Sequence, residues 1–380
     1  MLTYLLFFES LGYGVMIQSI WVSLRCFIHI SVYHQRMNHR VHTLIGVALL
    51  VLFALACQPT RDERQQEGAD KATIIAATEA VAEAAEPDTL SAADIELTEA
   101  LLFEEYYLAP VYEYQDTTRS IKLDQMKAKL AFVENLRKEI GRWAVVENYR
   151  NGHGEAPTVP NYVRNDYGRV ADTLGVERYQ SAPLYQVNDS TQPLIYARDG
   201  WLTHLLDSVG NYYQITPIRA DMGTYWIPKR YLRPLEEGIT FEHVIFVDRG
   251  DQNITTVEQE SEGKWLIRST NPATTGLKRP PYQMETPLGI FLLQQKKAKM
   301  FYTHDGSSEI AGYAPWASRF TNGAYVHGVP ANGRNAKPKE YSWSLGTTPR
   351  SHMCVRNATS HAKFVYDWAP TDRSLVIVIE

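Results

Sequence analysis

A cysteine and two histidines near the C-terminus form a pattern that could support nucleophilic catalysis. Cys354 is one of three cysteines in the chain, and His352 lies two residues before it, so an extended strand would place both side chains on one face. His327 follows the apolar stretch "GAYV", where a strand would deliver it to a sheet edge. A thiol needs a neighbouring imidazole or dipole to lower its pKa from about 8.5. The sequence therefore predicts a cysteine–histidine pair in which either histidine could be the base.

Each of these residues also has a structural interpretation. A lone cysteine such as Cys354 is commonly a buried core residue, and His352 could serve structure alone. Arg356 could pair with an acid such as Glu309 or Asp367.

The cysteines show no spacing of the kind that binds metal. Cys26, Cys57 and Cys354 lie far apart, and no C-x-x-C pair is present. Without a cluster of ligands, we expect neither a metal nor another cofactor.

Several short motifs occur in an order that is typical of one enzyme family. They are "TTG" at 274–276, "ETPLGIFLL" at 285–293, "VHG" at 326–328 and "RSHMCVRN" at 350–357. In this order they resemble the L,D-transpeptidase catalytic domain, the YkuD-like fold, over residues 242–380.

The resemblance implies a role for each matching residue. Cys354 matches the nucleophile, His327 the general base and His352 a supporting histidine. The implied substrate-binding residues are Arg356, Gly328 and Met353. Arg356 would organise the pocket or meet a substrate carboxylate, and backbone N–H groups near Met353 and Cys354 would face the developing oxyanion.

The sequence departs from the family pattern in two places. Met353 stands where the family has glycine, a residue that permits a tight turn or a close backbone approach. The gap from His327 to Cys354 is also longer than usual, and the extra residues lie in "PANGRNAKPKEYSW", at 330–343. We expect this segment to form a flexible loop over the site that sets substrate choice.

The function implied by the resemblance is peptidoglycan L,D-transpeptidation. A cysteine would form a thioester with a tetrapeptide stem and transfer it to an amine, giving a 3→3 cross-link. Two alternatives remain open: an L,D-carboxypeptidase or endopeptidase that hydrolyses stem peptides, and a non-catalytic lipoprotein that binds the cell wall. The expected partners are therefore peptidoglycan stem peptides. The net charge of −5 gives no reason to expect nucleic acid.

The segment that begins at Met37 predicts export. A basic start is followed by an apolar run from Leu44 to Ala56 and then by Cys57. The run is shorter than the roughly 20 residues that a membrane span needs. The ending "FALAC" resembles a bacterial lipobox, so we predict lipidation of Cys57 and a membrane-anchored protein of the cell envelope or periplasm. A plain signal peptide or a short uncleaved anchor is the alternative.

Composition and periodicity divide the chain into segments. We predict a mainly β protein, α+β overall, with an N-terminal helical region, a small SH3-like β-barrel and an L,D-transpeptidase-like β-sandwich. The predicted boundaries are 1–36 for an upstream mis-start or an extra membrane segment, 37–57 for the signal peptide and lipobox, 58–95 for a disordered tether, 96–180 for the helical region, 181–236 for the SH3-like module and 242–380 for the catalytic domain. The helical runs are expected at Ile95–Leu108 and Ile121–Val146, and Trp226 and Tyr231 carry the SH3-like resemblance.

Overall fold

The computed structural model describes residues 89–138, 142–217 and 223–380. They belong to one compact unit, Pro87–Glu380. The predicted signal peptide, Cys57 and most of the predicted tether lie outside the described residues. No helix in the described part of the chain has the length and apolar character needed to cross a membrane.

Strands dominate the described residues, and helices are few. The two α-helices are α1 (Leu123–Lys138) and α2 (Thr359–Trp368). Short 3₁₀ turns occur at Ala92–Asp94, Tyr149–Asn151 and Lys229–Tyr231. The strands are β1 (Glu96–Glu99), β2 (Val111–Tyr114), β3 (Thr117–Ser120), β4 (Arg142–Val146), β5 (Val163–Arg164), β6 (Val170–Ala171), β7 (Ser181–Gln186), β8 (Asp189–Arg198), β9 (Leu202–Val209), β10 (Tyr212–Pro217), β11 (Tyr225–Pro228), β12 (Leu232–Pro234), β13 (His243–Asp248), β14 (Asn253–Ser261), β15 (Lys264–Pro272), β16 (Gly289–Leu292), β17 (Gln295–Thr303), β18 (Ile310–Thr321), β19 (Ala324–His327), β20 (Ala331–Asn332), β21 (Val355–Arg356) and β22 (Ser374–Ile379).

Three sheets organise these strands. A six-stranded sheet has the order β1-β15-β14-β13-β22-β16, and a five-stranded sheet runs β17-β18-β19-β21 with β20 paired to β18. A seven-stranded sheet has the order β12-β4-β9-β10-β11-β7-β8. Strands β13, β14 and β15 form an antiparallel meander, and the apolar C-terminus forms the buried strand β22. The mainly β prediction is therefore confirmed.

The six-stranded and five-stranded sheets share a core, as a β-sandwich requires. Ile245 and Val376 of the first sheet lie in the same buried cluster as Phe320 and Val326 of the second. The seven-stranded sheet contributes to this cluster too, through residues such as Ile215. The region before the sandwich is thus packed against it through apolar side chains.

Much of the predicted N-terminal helical region is not helical. Helix α1 confirms the helical stripe from Leu123 only as far as Lys138, and Trp143 lies in strand β4. A glycine at position 141 of the sequence interrupts the pattern there, since glycine disfavours helix. The helix predicted over Ile95–Leu108 is wrong. Its first residues form β1, parallel to β15, so the sheet edge satisfies backbone groups that a helix would have paired internally.

Segment 181–236 forms strands β7 to β12, as expected for a β-rich segment. These strands do not form a sheet of their own. Strand β4 lies between β12 and β9, so the sheet takes in a strand from outside the segment. The SH3-like interpretation stays a prediction.

A tight turn after β8 joins the seven-stranded sheet to the sandwich. Gly200 has φ +84°, and a Cβ at this position would lie 2.0 Å from the carbonyl oxygen of Phe320. The Gly200 carbonyl accepts a hydrogen bond of 2.9 Å from the Leu292 N–H. Only glycine allows this approach, because any side chain would collide with the backbone of β18.

Candidate active site

Two short parallel strands bring the predicted catalytic residues together. In the register of β19 and β21, Val326 faces Val355 and His327 faces Arg356. Successive side chains on a strand point to opposite faces. Val326 and Val355 point into the core, so the residues that flank them point the other way, into a cleft.

The cleft has a volume of about 1310 Å³ and contains the predicted chemistry. Its lining includes Cys354, His327, His352 and Arg356. Residues of the inserted segment, among them Tyr341 and Trp343, also line it. The structure thus places the long insertion beside the site, as the sequence predicted, while the flexibility of that segment stays a prediction.

The Cys354 thiol is held in a buried position at the end of β21. Its S–H donates to the carbonyl of Gly323 over 3.5 Å. Burial raises the pKa of Cys354, and the backbone N–H of Tyr325 and the Arg356 guanidinium oppose that rise. Sequence reasoning expected an imidazole to lower this pKa, and that expectation is wrong because desolvation dominates.

His327 is fixed as a neutral imidazole. Its side chain is buried, and Nδ1 lies 2.7 Å from the Gly328 carbonyl oxygen. A carbonyl oxygen can only accept, so Nδ1 carries the proton and Nε2 keeps a free lone pair. The pKa of His327 is lowered to about 4, mainly by burial and in smaller part by the Arg356 charge, while the hydrogen bond to Gly328 opposes the shift. At neutral pH the resting site therefore holds a protonated thiol and a neutral imidazole.

The backbone at Met353 adopts a conformation that glycine accommodates more easily than other residues. Its φ is +78°, in the left-handed region, which costs roughly 1–2 kcal/mol for a residue with a Cβ. The carbonyl of Met353 accepts a 2.9 Å hydrogen bond from Thr286, and a Cβ on Gly276 would lie 2.8 Å from the Met353 Cα. Thr286 and Gly276 thus hold the Met353 turn in place.

This turn leaves two backbone donors beside the thiol. Among the described residues, no acceptor takes a hydrogen bond from the N–H of Met353 or of Cys354. Fixed donors of this kind can stabilise an oxyanion by about 2.7–4 kcal/mol. The Met353 side chain packs in the core, so any contact of this residue with substrate would use its backbone.

The two other predicted site residues lie at different depths. His352 is at the rim, with its side chain 43% exposed and Nε2 2.9 Å from Asp305 Oδ1. The left-handed turn at Met353 breaks the extended strand on which His352 and Cys354 were expected to share a face. Gly328 lies behind the cleft and orients His327 through its carbonyl. A Cβ on Gly328 would lie 2.7 Å from Thr359 Oγ1.

Arg356 points a charge into the cleft without a carboxylate partner. The alternative pairing with Glu309 or Asp367 does not occur, and Asp367 instead pairs with Lys363. Within the described ranges Arg356 forms no ion pair, and its buried Nε has no hydrogen-bond partner. A half-buried guanidinium without an ion-pair partner is well suited to bind a carboxylate.

Sequence reasoning missed two tyrosines of the cleft. Tyr325 is two residues before His327 on β19, so the strand period could have identified it. Burial raises the pKa of Tyr325 far above its ordinary value, and the neighbouring Tyr149 phenol raises it further. Tyr149 lies in the 3₁₀ turn after β4, far upstream in sequence, and no local pattern connects it to the cysteine.

Metal and cofactor sites are not evident in this region. No group of three His, Cys, Asp or Glu side chains in the described part of the chain could hold a metal ion.

Comparison with known proteins adds one informative match and several local likenesses. The family model of the L,D-transpeptidase catalytic domain, YkuD, matches residues 242–378. No curated protein matches the chain. Solved structures with local likeness include a fused Zn-dependent amidase/peptidase/peptidoglycan-binding domain-containing protein from Clostridium acetobutylicum (19% identity, 36% of this chain and 52% of that chain, TM-score 0.26). Two others are L,D-transpeptidases from Mycobacterium smegmatis (18% identity, 46% of this chain and 80% of that chain, TM-score 0.31) and Mycobacterium tuberculosis (18% identity, 53% and 77%, TM-score 0.29).

The chain spans about half the length of the Clostridium protein, and all three TM-scores lie below 0.5, so these likenesses carry no argument. The family match covers the strands that build the cleft and the residues Cys354 and His327. Over residues 242–378 the chain is thus similar to the L,D-transpeptidase catalytic domain of the YkuD type.

Proposed function

We propose that this protein is a peptidoglycan L,D-transpeptidase with Cys354 as its nucleophile. The observation that carries the proposal is the convergence of Cys354, His327 and the unpaired Arg356 on one face of two paired strands, at the base of a large cleft. The substrate is a tetrapeptide stem, and the product is a 3→3 cross-link to a second stem.

Acylation begins from two neutral groups. Because burial raises the pKa of Cys354 and lowers that of His327, a preformed ion pair is disfavoured. His327 Nε2 therefore takes the thiol proton as the sulfur–carbon bond forms, in general base catalysis. The N–H groups of Met353 and Cys354 stabilise the tetrahedral oxyanion.

Collapse of this intermediate breaks the carbon–nitrogen bond to the terminal D-Ala. The leaving amine receives the proton that His327 holds, so D-Ala departs neutral at its nitrogen and a thioester remains on Cys354. An amine of a second stem then attacks the thioester carbonyl. His327 accepts the amine proton and returns it to the sulfur, which leaves as the thiol, and a new amide bond joins the two stems.

Arg356 provides a fixed positive charge for the donor. A guanidinium can bind a carboxylate through two parallel hydrogen bonds, which fixes both position and orientation. Hydrolysis is the second candidate function, since water could replace the amine in the last step. A non-catalytic wall-binding protein is disfavoured by the complete thiol, imidazole and donor arrangement.

The test is incubation of the purified full chain with tetrapeptide muropeptides, followed by mass spectrometry. We expect an acyl adduct on Cys354 and cross-linked dimers. The Cys354→Ala variant should keep the wild-type circular dichroism spectrum and lose both. Shortened monomers without dimers would assign hydrolysis instead. Dimers formed by Cys354→Ala at the wild-type rate would refute the cysteine mechanism.

A further inference from the structure

The cleft includes a turn that lies outside the family-matched residues. Tyr149 and Arg150, in the 3₁₀ turn after β4, both line it, although the catalytic domain begins at residue 242. Arg150 is exposed. The region before the sandwich therefore contributes side chains to the same space as Cys354.

The turn is held in an unfavourable backbone conformation. Arg150 and Asn151 both have φ +54°, and left-handed residues of this kind cost about 1–3 kcal/mol each. Gln180 forms a hydrogen bond with each of these two residues. Its Oε1 accepts from the Arg150 N–H over 2.8 Å, and its own N–H donates to Asn151 Oδ1 over 2.7 Å. Strain that the surrounding structure maintains in this way is concentrated at functional sites.

The charges in the cleft are strongly unbalanced. Five cationic side chains line it, and none of them pairs with a carboxylate of the described residues: Arg150, Lys297, Lys299, Lys339 and Arg356. The only carboxylate among the lining residues is Asp305, which is engaged by His352. This excess is local, because the whole chain carries a net charge of −5. A concave surface of one sign attracts ligands of the opposite sign.

Three of these cations lie over aromatic rings instead of acids, and Arg150 is one of them, with its Cζ 5.2 Å from the centre of the Tyr149 ring. Lys297 Nζ is 5.6 Å from the centre of the Tyr325 ring, and Lys299 Nζ is 4.7 Å from that of Tyr313. Arg356 is half-buried near the thiol. Arg150 differs from them because it combines exposure, a fixed backbone and the planar donor set that recognises a carboxylate.

We propose that Arg150 is a specificity residue that binds a free carboxylate of the peptide substrate. The cleft then binds stem peptides whose side-chain carboxylates are free more tightly than the same peptides with these carboxylates converted to carboxamides. This inference rests on the proposed function, since it names the chemical class of substrate that reaches Cys354.

The experiment compares two tetrapeptide stems that differ only in whether the side carboxylates are free or converted to carboxamides. The second-order rate of acylation at Cys354 is measured by intact-protein mass spectrometry on the full chain. The variants are Arg150→Gln, Arg150→Lys and, as a charge-matched control, Lys264→Gln, whose exposed lysine lies outside the cleft lining.

For the wild type we expect faster acylation by the free-carboxylate peptide, with a preference that narrows as salt is added. Arg150→Gln should slow the reaction of that peptide roughly 10-fold and leave that of the amidated peptide unchanged, because one charge-assisted contact is lost. Arg150→Lys should recover part of the preference, and Lys264→Gln should retain all of it.

Equal slowing of both peptides in Arg150→Gln, or an unchanged preference, would overturn the inference while leaving the proposed function intact. Failure of both peptides to acylate wild-type Cys354 would refute the proposed function, and this inference with it.

Discussion

Asp199 connects the region before the sandwich to the five-stranded sheet, and its replacement should destabilise the fold. The carboxylate is fully buried and lies 2.7 Å from Arg319 Nη1. It also accepts the backbone N–H groups of Asn148 and Asn322, each over 2.9 Å. The Asn322 turn carries the Gly323 carbonyl that accepts from the Cys354 thiol, so Asp199 supports the site as well as the fold.

The perturbation is Asp199→Asn, which keeps the shape and removes the charge. The amide places N–H donors where an acceptor faced Arg319 and Asn322, and it leaves the Arg319 guanidinium buried without a counter-charge. Breaking a buried ion pair by removing one partner typically destabilises a protein by 3–5 kcal/mol. We therefore expect the free energy of unfolding to fall by about 3–5 kcal/mol.

The assay is urea unfolding followed by tryptophan fluorescence, with Glu236→Gln as the control. Glu236 pairs with Arg373 over 2.9 Å, but these side chains are 76% and 62% exposed, so losing that pair should cost under about 1 kcal/mol. The double variant Asp199→Asn with Arg319→Met should recover part of the loss, since the uncompensated charge is gone. A loss below about 1 kcal/mol in Asp199→Asn, or no coupling in the double variant, would show that the pair does not act as argued.

Two further predictions concern the base and the junction. The rate of Cys354 acylation should stay flat as the pH falls from 7 to about 5 and should drop as it passes through about 4, because His327 must be neutral to accept a proton and burial lowers its pKa to about 4. His327→Ala should lower that rate by about 10²–10⁴-fold without lowering the thiol pKa. If the acylation rate of the wild type instead fell around pH 6.5, the ordinary pKa of histidine, burial would not be lowering the pKa of His327. Gly200→Ala should destabilise the fold by about 2–5 kcal/mol, combining a left-handed alanine with a Cβ 2.0 Å from the Phe320 carbonyl oxygen. Gly210→Ala is the matched control, because Gly210 has φ +54° and nothing lies within 4 Å of the new Cβ. In thermal or urea unfolding it should lower the free energy of unfolding by only about 1 kcal/mol. Equal losses of stability in the two variants would show that the contact with Phe320 does not matter.

Sequence reasoning located candidate site residues where neighbours in sequence stay neighbours in space. The strand period placed His327 at a sheet edge, whereas Arg356 and the nucleophile role of Cys354 were implied by the family resemblance. The same period could have added Tyr325. The inferences drawn from the strand period depend on side-chain alternation along a strand, which the sequence displays directly.

The remaining features depend on contacts between distant segments. No local sequence pattern at Tyr149 or Asp199 shows that either residue contacts the five-stranded sheet. The pKa of Cys354 could not be predicted either, because it depends on how deeply the completed fold buries the sulfur. The helix expected after Ile95 failed for a related reason, since the edge of β15 offered those residues better backbone partners.

The turn at Met353 shows a local preference overruled by tertiary structure. A methionine gives no indication of a left-handed φ, and the value of +78° is maintained by Thr286 and by the close approach of Gly276. The family's glycine would adopt this conformation without strain. Here the surrounding backbone imposes it on a larger residue.

The burial that keeps Cys354 protonated has a consequence for its durability. Peroxide and related oxidants react with thiolate and hardly with thiol, so the first step toward sulfenic acid requires the proton to leave. In the resting cleft the sulfur is buried and its S–H donates a hydrogen bond to the Gly323 carbonyl. Burial also lowers the pKa of His327, so this imidazole has little tendency to take the thiol proton. We expect Cys354 of the free protein to resist oxidation by peroxide at neutral pH, because the resting thiol keeps its proton.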